Sequence, residues 1–289
     1  MLMESAPLAR FVAAAMLVAA VASPGAAARE QTSSVMEIGG MKLALSPQEM
    51  RALSDLGNLT RAGGQTGRQD RALADARRVA TSRDARHVLA LYELEIGNQR
   101  RDDAMRAAAL DVLIASQLTR SERLPGYLGA RGQIAYLAGD FETAGRLWSR
   151  WTELAPSDPD ALANLAQVRS AQKDAPGAMD LLDRAIAARA APGQKGPETW
   201  YRQRLSIAQQ GNLVTPGIAA ARALVGAYPT QENWRIALVV YRQLGTFDEG
   251  FEVDLLRLMR QVGVFTQAAA YQRMAQLLKT SGEAAEAKA

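Results

Sequence analysis

Cysteine is absent from all 289 residues, and histidine occurs once, as His87. The first absence excludes disulfides, thiolate nucleophiles, thiolate metal sites and lipid attachment through an N-terminal cysteine. The second excludes metal sites that need two or more imidazoles, and together they exclude a Cys–His pair. His87 could still serve a Ser–His–Asp arrangement by itself. It lies within a helical stretch without a catalytic motif around it, so a packing or surface role is expected. Aromatics are also sparse, at 6% of the chain, while alanine is abundant. Helices packed closely through small side chains fit that composition better than a β-sandwich does.

Lysine is scarce too. Of 34 basic residues only Lys42, Lys173, Lys195, Lys279 and Lys288 are lysine, and the formal net charge is +4. Nucleic-acid binders gather positive charge on one face. Here Arg68, Arg71, Arg77, Arg78, Arg83 and Arg86 alternate with Asp70, Asp75 and Asp84, the pattern of a solvated helix face. No nucleic-acid partner is expected. The stretch Gly63-Gly64-Gln65-Thr66-Gly67-Arg68 lacks the Gly-Lys-Ser/Thr ending and the preceding strand of a phosphate loop. Ser157-Asp158-Pro159-Asp160 has too few alternating ligands for calcium and reads as a helix cap. No cofactor or metal is expected, and no enzyme activity. A hydrolase with a pair of carboxylates stays open as an alternative, because carboxylates are common and carry no sequence signature.

Long apolar runs are missing except at the start. Arg10 precedes the twelve apolar residues Phe11 to Ala22, followed by Ser23-Pro24-Gly25 and Ala26-Ala27-Ala28. Twelve residues fall short of the roughly 20 that span a bilayer, and the small-residue ending fits a cleavage site. Residues 1–28 are therefore expected to be a signal peptide, with no membrane insertion after its removal. The compartment expected is a bacterial periplasm, with secretion as the alternative.

What the chain does have is a repeat. Leu128, Leu162, Trp200, Trp234 and Tyr271 form a column with spacings of 34, 38, 34 and 37. Eleven residues after each stand Gly139, Lys173, Gly211, Gly245 and Gly282. Pro192-Gly193-Gln194-Lys195-Gly196 accounts for one longer step, and the Val262-Gly263-Val264 region for the other. Pro125, Pro159 and Pro197 precede the column by three residues, where a first-turn proline loses no hydrogen bond. Asp158 and Thr230 are placed to cap helices, and a glycine after three turns can take the left-handed conformation that ends one. Two antiparallel helices per unit are predicted.

On these residues the chain resembles the tetratricopeptide repeat. The clearest unit, Pro125 to Pro156, has Leu128, Gly132, Gly139, Asp140, Phe141, Ala144 and Trp148 at matching positions. Pro159 to Ala190 follows with Leu162, Leu165, Ala166, Ala178, Leu182 and Ala185. Further units start at Pro197 and near Gln231, and a last helix, Ala268 to Ser281, acts as a cap. Pro216, Gly250 and Asp254 depart from the family pattern. Arg86 to Gly97 with Asp102 to Leu118 is a weaker upstream unit. The expected layout is a signal peptide over 1–28, an extension over 29–69 with one short helix after the Ser46-Pro47-Gln48-Glu49 capping box, and a solenoid of about five repeats over 70–289. Residues 29–40 read as unstructured.

The resemblance implies an all-α, right-handed superhelical solenoid of antiparallel helix pairs with a concave face built from the first helices. Carried over by position, Gln133, Tyr136, Gln167, Tyr201, Arg235, Arg242, Gln272, Gln276 and Lys279 would line it, together with neighbours such as Leu205 and Ala208. The implied partner is a protein or peptide, acidic where it meets Arg235, Arg242 and Lys279. The family's carboxylate clamp is not implied, since Glu198 stands where a lysine is needed. Trp200 and Trp234 are expected to be core. The function that follows is a protein-interaction scaffold or adaptor, the alternative being a structural part of an envelope assembly or export complex.

Overall fold

The computed structural model describes residues 34–64, 66–190, 194–244, 248–263 and 268–280. The signal segment at 1–28, Gly245 and Gly282 of the glycine column, and Pro192-Gly193 lie outside them. The described residues form thirteen α-helices and two strands, falling into two compact units that meet in sequence at Ile134 and Ala135.

The first unit opens with a β-hairpin where no regular structure was expected. Strands β1 (Ser34–Ile38) and β2 (Met41–Leu45) pair antiparallel, with Met36 opposite Leu43 and Ile38 opposite Met41. Gly39 and Gly40 take φ of 57° and 77°, the left-handed pair that a two-residue turn requires. Alternation puts Met36, Ile38, Leu43 and Leu45 on the buried face. They pack against Leu53, Leu56, Leu73, Ala76, Val88 and Ile96. Those residues come from α1 (Pro47–Ala62), α2 (Thr66–Val79) and α3 (Arg83–Arg100). The region from 47 to 79 is thus a helix pair in its own right, not an extension carrying one short helix.

The capping box at Ser46 forms as its sequence predicts, and one of its members does more. Glu49 is buried and accepts from the backbone N–H groups of Ser46 at 2.9 Å, Thr81 at 3.2 Å and Ser82 at 2.9 Å. The carboxylate that starts α1 thereby ties down the chain entering α3. Burial pushes its pKa up, but hydrogen bonds from Ser82 and Ser46 outweigh burial and hold it below the ordinary value. Helix α4 (Asp103–Ala115) packs on α3, and Gly97 makes their approach possible: a Cβ there would lie 2.8 Å from Cγ of Arg106. Helix α5 (Leu124–Leu137) begins in this unit.

The second unit continues the helix pairs with α6 (Phe141–Leu154), α7 (Pro159–Ala171), α8 (Ala175–Arg189), α9 (Glu198–Gln210) and α10 (Val214–Ala227). After these come α11 (Gln231–Leu244), α12 (Glu249–Gln261) and α13 (Ala268–Thr280). Trp148 is fully buried among Leu162, Leu165, Ala166, Ala178, Leu182 and Trp200. Small alanines at the facing positions let these backbones approach closely. Asp158 and Thr230 cap α7 and α11 as expected.

The repeated element is the turn between the two helices of a pair. A left-handed residue, Arg101, Gly139, Lys173 or Asn212, precedes the residue that caps the second helix. In each, the capping residue's N–H reaches back to a carbonyl of the first helix: Gly97, Ala135, Arg169 and Ala208 respectively. The sequence column placed Gly139, Lys173 and Gly211 at this position, and the first two take the left-handed conformation there. In the third unit Gly211 has φ of −82°, and Asn212 takes the left-handed role at 50°. The register there is one residue later than the sequence column implies. This slip explains why Leu205 and Ala208, assigned to an open groove, are buried. The column fails again at its end: Tyr271 is 50% exposed, while Met274, Leu277 and Leu278 of α13 are buried.

Candidate functional site

The nine groove residues divide into three groups. Tyr136 is half-buried, with its ring 5.3 Å from Phe141 and 5.6 Å from Trp148, so it braces a helix pair. Tyr201, also half-buried, sits edge-on to Tyr228 at 5.7 Å. Gln133, in the first unit, and Gln167 are half-buried, and Gln167 bonds Asn164 at 3.2 Å. Arg235 and Arg242 are exposed on one side of α11, but each already faces a carboxylate. Arg235 grips Glu232 through bonds of 2.9 and 2.6 Å, and Arg242 lies 3.6 Å from Glu252, which Arg273 also holds at 2.7 Å. Gln272, Gln276 and Lys279 are exposed on α13. None of the nine lines either of two cavities formed by the described residues, one in each unit.

The first cavity belongs to the first unit and measures about 320 Å³. Its walls come from α1, α3 and α5, from α4, and from the turn of the β-hairpin. Leu91, Leu94, Leu110, Tyr92 and Tyr127 give it an apolar interior. Around this stand four guanidinium groups, Arg61, Arg106, Arg120 and Arg123, against a single carboxylate, Glu95. Arg61 is held by neutral acceptors, the Gly57 carbonyl at 3.1 Å and Asn58 Oδ1 at 2.6 Å, so its charge stays uncompensated. Arg106 pairs with Asp103 at 2.6 Å, yet its Nε is buried without an acceptor. Arg120 lies over the hairpin turn, close enough that a Cβ on Gly40 would meet its guanidinium at 2.8 Å.

Burial raises the pKa of Tyr92, partly offset by Arg61, and raises that of Tyr127, partly offset by Arg123. Both phenols are therefore neutral near pH 7. Tyr92 is seated by Gly57, where any Cβ would lie 2.5 Å from the phenol oxygen. His87 is buried at the cavity with its Nδ1 2.9 Å from Ser116 Oγ. Burial lowers its pKa against the opposing pull of Asp84, so the imidazole is neutral. Ser116 ends α4, takes the Leu118 N–H at 3.2 Å and does not line the cavity. The His87–Ser116 bond fastens α4 to α3.

The second cavity, in the second unit, is an apolar slot of about 340 Å³ between α10, α11 and α12. Trp234, Leu238 and Tyr241 form its floor, and Phe251, 43% exposed, stacks on Tyr241 at 6.2 Å. Trp234 is half-buried here, not enclosed as a core tryptophan would be, because α11 and α12 touch sparsely. Trp200, by contrast, is buried as expected. Arg222 and Asp254, both exposed, also line it, and Asp254 pairs with Arg257 at 3.1 Å.

Each of these two cavities has one carboxylate in its lining, Glu95 in the first and Asp254 in the second. Among the described residues no three His, Asp or Glu side chains gather as a metal site, and no helix is long and apolar enough to cross a membrane. The arginines of α2 and the start of α3 are exposed and laced with acids, as in Arg77–Glu93 at 2.7 Å and Arg78–Asp75 at 3.3 Å. That is the solvated face the sequence pattern describes. The two cavities were not foreseen, since each is assembled from residues with no common spacing.

No protein-family model matches this chain, and no curated protein does. Among solved structures it is similar to a crystal structure of MamA at 13% identity and TM-score 0.44, over 67% of this chain and 96% of that one. It is similar to Pseudomonas aeruginosa pilF at 16% identity and TM-score 0.38, over 82% and 97%. A third is Cut9-Hcn1 of the APC/C, at 12% identity and TM-score 0.37, over 82% and 47%. The chain itself is a helical repeat.

Proposed function

We propose that this chain is a non-catalytic interaction scaffold of the bacterial periplasm that holds a polypeptide on its second unit. The observation that carries the reading is the apolar slot between α10, α11 and α12. Tryptophan, tyrosine and arginine are the residues that dominate protein-binding energetics, above all where a pocket can desolvate a partner's side chain. Trp234 and Tyr241 offer such a pocket, with Arg222 at its rim and Arg235 and Arg242 one step around the same helix. The ligand that fits is a segment with an aliphatic or aromatic anchor flanked by acidic residues. Because Glu232 and Glu252 already occupy Arg235 and Arg242, those two attract an acidic partner less than Arg222 does, which has no carboxylate partner among the described residues. The periplasmic setting rests on the segment at residues 1–28 alone.

The test uses the chain from Arg29 as bait for envelope proteins, beside a Phe251→Asp/Arg222→Glu variant with an unchanged circular dichroism spectrum. A partner held by the parent and lost by the variant supports the slot. An identical set from both would move binding elsewhere, and no partner with either would remove the scaffold reading. Mass spectrometry of exported material checks the address: an N-terminus near residue 29 is expected, and retention of residues 1–28 would overturn it.

A further inference from the structure

The cavity of the first unit is unlike a surface for holding a polypeptide. It is small, partly roofed by the turn of a hairpin that is not part of the helix repeat, and chemically two-sided. At about 320 Å³ it lies at the lower end of the range for small-molecule sites, roughly 300–1,000 Å³. Such sites combine an apolar lining with a few placed polar groups, and here the division is clear. Leu91, Leu94 and Leu110 offer an apolar bed, while guanidinium groups surround it.

We infer that this cavity binds a small organic carboxylate with an apolar body. The charge decides the sign of the ligand. A cation or a neutral polar molecule would leave Arg61 uncompensated, because Arg61 is bonded only to neutral oxygens, and Arg120, although it feels the carboxylate of Glu122, forms no ion pair within 4 Å among the described residues. The orphaned Nε of Arg106 adds a donor that lacks an acceptor, and a carboxylate has four lone-pair sites to offer. Guanidinium forks match carboxylates with paired, charge-assisted hydrogen bonds. The neutral phenols of Tyr92 and Tyr127 are further donors on the same walls. The apolar bed decides the rest of the ligand: an inorganic anion would leave the leucines facing water, whereas an aliphatic or aromatic body displaces it. The site is independent of the slot in the second unit, so it stands or falls separately from the scaffold reading.

The probe is octanoate, titrated calorimetrically into the folded chain from Arg29. One site is expected. Octanamide, with the same body and no charge, should bind at least tenfold more weakly, and inorganic phosphate should not compete. Arg61→Gln/Arg120→Gln should weaken octanoate at least tenfold while melting as the parent does, since neither arginine is in an ion pair. Ala130→Leu, which narrows the cavity from α5, should also weaken it. Absence of binding, equal affinity for octanamide, or an unaffected double variant would overturn the assignment. So would tighter binding of a peptide with a free C-terminal leucine, which would give the cavity to a chain terminus and not to a small acid.

Discussion

Replacing Glu49 tests how the first unit is held together. Its carboxylate takes three backbone N–H groups, with Oε2 on Ser46 and Oε1 on both Thr81 and Ser82. A hydrogen bond to a charged group contributes about 1.5–3 kcal/mol, and a buried donor left without an acceptor costs about 1–3 kcal/mol. Thr81 is exposed and its N–H can turn to water, whereas Ser46 and Ser82 are partly buried. Glu49→Ala should therefore cost about 3–5 kcal/mol, less than three full bonds. Glu49→Gln keeps an oxygen for Thr81 and Ser82 but turns an amide donor toward the Ser46 N–H, costing about 1–2 kcal/mol. Urea unfolding followed by circular dichroism gives the size of the loss. Hydrogen exchange gives its place, with faster exchange expected at the starts of α1 and α3.

The pH dependence supplies the second half of that test. The folded pKa of Glu49 is depressed below its ordinary 4.5, so the unfolded chain binds the proton more readily. Its contribution is present above 4.5 and is lost as pH falls through the folded value. The parent and Glu49→Gln should converge there. An alanine variant within about 1 kcal/mol of the parent, or a parent–glutamine gap that does not change with acidification, would refute the reasoning.

Four other outcomes follow from the same geometry. Lys173→Gly and Arg101→Gly relieve left-handed residues at φ of 63° and 55°, and each should stabilise the chain by about 0.5–1 kcal/mol in urea melts. His87 has a folded pKa below 6.5, so stability should fall as pH drops under that value, and His87→Gln should be flat over the same window. Trp148→Ala should cost about 3–5 kcal/mol, and Trp234→Ala, at a partly buried side chain lining the slot, about 2 kcal/mol; the reverse order in thermal melts would contradict the packing. Gly57→Ala should displace the Tyr92 ring and cost about 1–3 kcal/mol, with a shifted tyrosine absorbance as the sign that the cavity wall has moved.

Much of the fold was legible because it is written in local rules. Asp158 before Pro159, the Ser46 capping box and the column through Leu128 and Leu162 each act within a few residues of themselves, and the structure keeps them. The hairpin at 34–45 was not foreseen, although the alternation of Val35-Met36-Glu37-Ile38 and Met41-Lys42-Leu43-Ala44 about Gly39-Gly40 has the period of two that strands require. The register of the third unit was not legible, since Gly211 and Asn212 can each supply a left-handed turn and only packing chooses between them. Tyr201, Leu205 and Ala208 were misplaced by that one-residue slip.

The sequence by itself determined that this chain forms paired helices, where most of them start and stop, and which catalytic chemistries its residue types forbid. Those properties depend on capping, periodicity and composition, which act at short range. Only the tertiary structure decided where anything could bind. Arg61, Arg106 and Arg120 come to one cavity from α1, α4 and the segment after it, and Ala221, Trp234 and Phe251 come to one slot from three helices. The same packing brought Glu252 of α12 to Arg242, which the repeat pattern had offered to a partner, whereas Glu232 and Arg235 pair three residues apart on α11 without any tertiary contact. A charge is available to a ligand only when the folded chain leaves it without a closer partner of its own, and spacing along the sequence records that only for pairs within one helix.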